Sequence, residues 1–532
     1  MEDGGPNEPN GVVGAQPEEV ILQSLQSDKD AAEEAAVAKP SETSEEAITR
    51  RHYGSWVVRF LATLELSSPE LLRAAPASAI LRNFGWTLRA PSRRVEPEKL
   101  YQLSHQVAAI DEFWSHSWQA SSFWKICLLL ALKNGRAACV LGTIFACLGA
   151  FATHAGLLPT VISKLFPPPY RTPGFHVEHD FSPWALVSGI VAALLTLLLW
   201  HPRGLVFVDR ACIHQGDARL KAEGIMNLGA MLKRSKRLLV VIDRTYLQRL
   251  WCAFEISAFL NTHQNDRLAS LVILPLALAK SSLFFVLGGS VLLLADLCAP
   301  VAAGVPLRGI IVSTWCIGFN SIFKIYWNEL AAIEEAFDNF SWVNLKCYCC
   351  ELNHNVDGTP IPCDREMIAE CVCQWFGSIE AFEDCVRTKV RDVFMAQLVH
   401  GVPFGYPWAL ALCIFSLWSQ MDQATARASR GDFMSMTRSL GTGVMWWTWI
   451  LPASYVVYAR IAQWVRKSPT WCRQLLGFLA GFLLFTVPHV FQYYSYEYIA
   501  DDFLAFALFS VSTLLLSLAA FCLLIRSAKQ VS

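Results

Sequence analysis

The segment Arg249 to Phe259 reads RLWCAFEISAF, and its single acid, Glu255, falls in a run of bulky apolar side chains. Among Trp251, Phe254 and Phe259 the local dielectric is low, and a charge there acts more strongly on a neighbouring charge than it does in water. Such a carboxylate can stabilise positive charge that develops on a bound ligand, by its own charge and by accepting hydrogen bonds. The plainer alternatives are an ion pair with Arg249 or Arg210, or a place on the domain surface. Ser115, His116 and Trp118 follow a short apolar run, which sets them at the carboxyl edge of a strand, where open α/β sheets bind ligands. There they would meet a ligand, or else pack structurally. Asp209 and Arg210 end a second apolar run, where a capping or turn role is the plain reading for the aspartate.

The elements that would position these residues alternate. AAIDEFWSHSWQ (108 to 119) passes from apolar to polar and leads into an amphipathic stretch, Ser121 to Asn134, which fits a strand followed by a helix. GLVFVD (204 to 209) has the pattern of a buried strand, and a turn-rich segment with a helical stretch to about Ser235 separates it from LLVVID (238 to 243). The helix carrying Trp251 and Glu255 comes next, and LASLVILPLAL (268 to 278) supplies a third strand. Strands alternating with helices predict a parallel sheet.

Taken together, FWSH (113 to 116), GLVFVD (204 to 209) and TYLQRLWCAFE (245 to 255) resemble the first box, the second box and the Trp-Cys-x-x-Glu segment of TIR domains. The Tyr246 to Trp251 spacing is similar to that of plant-type members, and VDRACIHQGD (208 to 217) resembles the signature of the related HET domains. The resemblance implies a flavodoxin-like fold in which Glu255 is the catalytic glutamate of NAD cleavage. It also implies ligand contacts at Ser115, His116, Trp118, Asp209, Arg210 and Trp251, and self-association through the loop that Arg210 begins. In one respect the chain departs from the family: residues 137 to 203 intervene where TIR domains have a short loop. A membrane hairpin there would return the chain to its starting side and let the sheet close.

Composition sets the surroundings. Hydrophobic residues make up 54% of the 532 and charged residues 17%, against about 25% charged in ordinary soluble chains, and the mean hydropathy is +0.34. Apolar runs near 137 to 158, 183 to 200, 280 to 299, 306 to 327, 405 to 421, 441 to 463, 472 to 494 and 503 to 525 approach the roughly 20 residues that span a bilayer. The predicted architecture is therefore a multi-pass α-helical membrane protein of about eight spans with a cytoplasmic α/β domain. Its pieces are an acidic disordered tail (1–48), the first part of the α/β domain (49–136), a membrane hairpin (137–203), the second part (204–279), a second hairpin (280–327), a Cys-rich helical segment (328–404), a four-span region (405–526) and a short tail (527–532). The tail of residues 1–48 holds twelve acids against two lysines, the composition of a disordered segment and not of a signal peptide. Basic residues in the short loops place the α/β domain and both termini in the cytoplasm.

Membrane lipid is thus an expected partner, whereas 44 basic residues against 45 acidic ones leave no electrostatic footprint for nucleic acid. Asp296 and His489 are the clear ionisable residues within the apolar runs, and interface placement is the plainer reading of both. Seven of the seventeen cysteines lie between 347 and 385. Their Cys-x-Cys-Cys spacing fits no standard zinc pattern, so reduced packing or palmitoylated cysteines are expected there, with no metal and no cofactor. The reading that follows is a membrane-anchored TIR-like signalling protein, with NAD as substrate at Glu255. Two alternatives stand beside it: a channel or transporter with a TIR-like regulatory module, and a non-catalytic membrane scaffold.

Overall fold

The structure is a computed structural model that describes residues 58–89, 96–159, 182–263, 270–298, 304–356, 359–360, 363–400, 406–466, 470–498 and 506–519 except 509. The acidic tail (1–48), the C-terminal tail (527–532) and the side chains of Asp296 and His489 lie outside the described residues. The chain divides into two units: Met1–Ile126 with Arg203–Ile273 and Glu334–Val393, and Cys127–Pro202 with Leu274–Ile333 and Phe394–Ser532.

The first unit is built on a sheet. Its strands are β1 (Arg73–Pro76), β2 (His105–Gln106), β3 (Ile110–His116), β4 (Leu205–Phe207), β5 (Ser235–Ile242) and β6 (Leu271–Pro275), in the spatial order β2-β1-β4-β3-β5-β6. FWSH and GLVFVD pair in parallel, with Glu112 opposite Val206 and Phe113 opposite Phe207. β3 also runs parallel to β5, from Ile110 opposite Ser235 to His116 opposite Val241. β1 is antiparallel to both β2 and β4, so the sheet is mixed and not the parallel one expected. The sequence RAAP of β1 has no β-branched residue to announce a strand.

β3 and β5 carry apolar residues on both faces because both faces are covered: Phe113, Trp114, Leu238, Leu239, Val240 and Val241 are all buried. The phenyl rings of Phe113 and Phe207 stack across the β3–β4 pair at 4.5 Å. The acids of β3 are satisfied locally. Glu112 accepts from Trp114 Nε1 at 2.9 Å and from Arg237 at 2.7 Å, and Asp111 accepts the Leu205 N–H at 2.9 Å and Lys236 Nζ at 2.8 Å.

The Leu250–Thr262 helix lies beyond the carboxyl end of β5 in the chain, and its far end is tied back to the start of that strand, since His263 Nε2 meets the Ser235 carbonyl oxygen at 2.9 Å. This helix packs against the Leu228–Lys233 helix, where a Cβ on Gly229 would lie 2.4 Å from Leu64 Cδ2 and 3.5 Å from Phe254 Cζ. On another side it meets the Asp364–Phe376 helix, with Phe254 and Trp375 ring centroids 5.8 Å apart.

The second unit is helical. Trp418 of the Tyr406–Ala428 helix fits between two glycines, since Cβ atoms on Gly142 and Gly189 would each lie 2.7 Å from its ring. Asp422 of the same helix accepts the N–H groups of Ala185 at 2.7 Å and Leu186 at 3.0 Å, a carboxylate at the positive end of the Trp184–Leu199 helix. Phe285, Trp315, Phe319, Phe323, Tyr455 and Tyr458 form one aromatic cluster.

This architecture corrects the expectation of a multi-pass membrane protein of about eight spans. Among the described residues, two helices, Ser122–His154 and Ala277–Ala295, are long and apolar enough to cross a membrane. The run near 183 to 200 forms a helix of 16 residues, short of the roughly 20 that a hydrocarbon core requires. The run near 441 to 463 passes from the Phe433–Met445 helix through a π turn at Trp446–Ile450 into the Leu451–Arg466 helix, and Met445, Trp446, Ile450, Tyr455, Val456, Tyr458, Ala459 and Ala462 along it are buried. In the Tyr406–Ala428 helix, Leu412 to Ser416, Trp418 to Gln420 and Asp422 are buried within the unit. Hydropathy measures how apolar a run is, and helices that bury all their faces in protein are as apolar as helices that meet lipid.

Candidate functional site

At the carboxyl edge of the parallel strands β4, β3 and β5, the residues after each strand converge. Glu255 lies in the second turn of the Leu250–Thr262 helix, and it is the one residue from Arg249 to Leu260 that is not fully buried. Its flanks Trp251, Phe254, Ile256 and Phe259 are core residues, so the helix buries most of its surface and Glu255 is its least buried residue over this stretch.

Ser115 Oγ, on β3, donates to Glu255 Oε2. Tyr246, fully buried in the turn after β5, places its hydroxyl 2.5 Å from Ser115 Oγ. Because the serine proton is committed to the carboxylate, the phenol donates to the serine, giving a relay from Tyr246 through Ser115 to Glu255. Burial holds the Tyr246 phenol well above its ordinary value, so it keeps its proton and remains a donor. Burial likewise pushes Glu255 up to about 8; the Ser115 hydrogen bond opposes that rise, the charge of Asp209 adds to it and Arg249 draws it back. Near neutral pH the carboxyl is mostly protonated, and an approaching cation would favour its ionised form.

A second group surrounds Trp118. Its indole N–H donates to Asp209 Oδ2 at 2.8 Å, while Asp209 Oδ1 accepts the Arg210 N–H at 2.7 Å. Burial raises the Asp209 carboxyl and these two hydrogen bonds pull it back. The guanidinium of Arg210 lies over the Trp118 ring at 5.5 Å and donates to the carbonyl oxygens of Thr87, at 3.2 Å, and Arg89. Lys125, buried to 1% exposure, donates to the Ser117 carbonyl at 3.1 Å and stands 5.1 Å from the same ring. His116 contacts Trp118 edge to face at 4.6 Å. Burial and the charge of Lys125 keep this histidine neutral, and its Nε2 is buried without a partner. The buried indole N–H of Trp251, one turn before Glu255, is also without a partner.

The sequence-derived candidates therefore fall into two adjoining groups. Ser115 and Glu255 meet directly, and Trp251 flanks them on the helix. His116, Trp118, Asp209 and Arg210 gather around the indole, because side chains alternate between the faces of β3. The charge of Asp209, felt at Glu255, links the groups. Sequence reading missed Tyr246, Lys125 and the Thr245–Ser117 hydrogen bond of 2.9 Å. For Lys125 a signal existed: it is the first charge after Glu112 and the one charge in SSFWKICLLLAL.

Among the described residues, no cluster of three metal-ligating side chains includes Glu255, Asp209 or His116. A cavity of about 310 Å³ is lined by Leu141, Leu195, Thr196, Leu199, Trp200 and His201; it contains none of the site residues, and its lining is apolar. Comparison with protein-family models, curated proteins and solved structures finds no match to this chain.

Proposed function

We propose that the first unit is a TIR-like signalling domain that hydrolyses NAD at Glu255. The observation that carries this reading is the Tyr246–Ser115–Glu255 relay at the carboxyl edge of the parallel strands, on a helix whose other residues from Arg249 to Leu260 are all buried. In the proposed reaction the bond between C1′ and the pyridinium nitrogen breaks, and its electron pair leaves with nicotinamide. The ribosyl cation that develops is stabilised by the Glu255 carboxylate. Water bonds to C1′, and its proton passes through Glu255 to solvent, leaving ADP-ribose, nicotinamide and a proton. Trp118, with Arg210 beside it, offers a ring face and a guanidinium for the adenosine and its phosphates. Assembly through the segment around Arg210, which forms the short Asp209–Cys212 helix where the sequence suggested a loop, would bring several such sites together.

Attachment to membrane lipid is supported by the Ser122–His154 helix, where Val140, Ile144, Leu148 and Phe151 lie one turn apart on one face and are exposed. A core helix of a soluble protein would bury that stripe. Retention of the chain in membranes after alkaline extraction tests this attachment, and full release into the soluble fraction would refute it.

A non-catalytic scaffold is the second reading. It is favoured by the Glu255 carboxyl at about 8, a value that leaves about a tenth of it ionised at pH 7. Turnover of NAD by the purified wild-type chain, absent in Glu255→Ala, separates the two readings.

A further inference from the structure

The fold gathers cysteines that the sequence spaces irregularly. Cys349 and Cys350 lie in the short Tyr348–Glu351 helix, His354 stands immediately before strand β7 (Asn355–Val356), and Cys363 follows strand β8 (Thr359–Pro360) by three residues. β7 and β8 pair antiparallel, Asn355 opposite Pro360 and Val356 opposite Thr359. The ligating atoms of Cys349, Cys350, His354 and Cys363 all lie within 4.8 Å of one another. Cys350 Sγ and Cys363 Sγ are 3.7 Å apart, and two thiolates on one tetrahedral zinc, each bonded at about 2.3 Å, stand about 3.8 Å apart.

We infer that Cys349, Cys350, His354 and Cys363 form a structural zinc site that ties the two strands of the β7–β8 ribbon together at its open end.

Three independent features point the same way. His354 Nε2 is buried and has no hydrogen-bond partner, a costly state for an imidazole nitrogen that a metal bond would remove. The Asp364 N–H donates to Cys349 Sγ at 3.3 Å, the kind of outer contact that orients a ligating thiolate. A zinc ion with three thiolates and one neutral imidazole carries a net negative charge, and the Arg365 guanidinium lies beside the Cys350 thiol. That guanidinium is itself fixed by donation to the carbonyl oxygens of Trp342, at 2.6 Å, and Leu345.

Four protein ligands leave no open coordination position, so the role is structural and not catalytic. A ribbon of two residue pairs has little stability of its own, and the metal would supply it. The segment also bears on the Glu255 helix: Lys346 N–H donates to the Gln248 carbonyl at 2.7 Å, and the Leu250 N–H donates to the Lys346 carbonyl at 3.2 Å.

The test uses the full chain purified from zinc-supplemented cells without chelator. Elemental analysis should find one zinc per chain, and a Cys350→Ser, Cys363→Ser double variant should lose it, while Cys472→Ser, at an exposed cysteine, retains it. Zinc absent from the wild type, or retained by the double variant, overturns the inference. A second measurement on the wild type alone stands even where the variant does not fold. Alkylation mapped by mass spectrometry should find Cys350 and Cys363 protected before chelation and reactive after it. Equal reactivity without chelator overturns the site, as does protection that only a reductant removes, which would mark a disulfide.

Discussion

Replacing Glu255 by Gln keeps the size of the side chain and its hydrogen bond from Ser115 but abolishes its ionisation. In the folded chain this carboxyl titrates at about 8, against 4.5 for a free side chain. An acid raised in the folded state contributes stability that is complete below 4.5 and lost as pH climbs to 8, because the unfolded chain releases the proton first. At 1.36 kcal/mol per pH unit, that displacement sets a ceiling of about 5 kcal/mol. Relaxation around a half-buried group brings the expected value to roughly 2 to 5 kcal/mol. With about 2 to 4 °C of melting midpoint for each kcal/mol in a unit of this size, wild type should fall by roughly 4 to 20 °C relative to Glu255→Gln between pH 4.5 and 8.5. Hydrogen exchange of the Leu250–Thr262 peptides would follow the first unit specifically, and an infrared difference spectrum of wild type against variant would isolate the one carboxyl band. A band that titrates near 4.5, or melting curves that stay parallel across the range, would refute the assignment of a desolvated carboxyl.

Three further substitutions probe the neighbours of that group. Tyr246→Phe removes the donor to Ser115 and should cost about 1 to 2 kcal/mol, read by thermal melting, while moving the Glu255 band to still higher pH. Asp209→Asn removes a negative charge that Glu255 feels, so the same band should move to lower pH; its amide cannot accept from both Trp118 and Arg210, at a cost of about 1 to 3 kcal/mol. Gly229→Val forces Leu64 aside, given the 2.4 Å approach, and should cost about 1 to 3 kcal/mol with the Glu255 titration unchanged.

What the sequence made legible depended on how local its signals were. The apolar runs of β3, β4 and β5 carry aromatic and β-branched residues that announce strands, and the parallel pairing of β3 with β4 spans an interval of some 90 residues that motif order alone suggested. β1 escaped notice because RAAP owes its place to the edge of β4 and not to its own propensity. Ser115 and Glu255, which strand order set at one sheet edge, are direct partners 140 positions apart, a contact that no local signal announces. Tyr246 was read only as part of a spacing, since nothing local shows that a phenol in TYLQR points toward a serine on another strand. For the cysteines, linear spacing gave no sign of a shared group, whereas the antiparallel pairing of β7 with β8 sets Cys363 beside Cys350. Apolar runs in the second unit were overread as membrane spans because the aromatic cluster around Phe319 and the glycine niche of Trp418 demand the same composition as lipid contact.

The proposed chemistry rests on one carboxyl, and one measurement tests it most directly: NAD consumption by the purified full-length chain, assembled at high concentration, compared with Glu255→Ala and Glu255→Gln. Wild type should release nicotinamide and ADP-ribose in equal amounts, with a rate that rises toward pH 8 as the carboxyl ionises, and both variants should release none while melting within a few degrees of wild type at pH 4.5. Equal turnover by wild type and variants would place the activity elsewhere. No turnover by the assembled wild type would contradict the enzymatic account and leave the scaffold reading in its place.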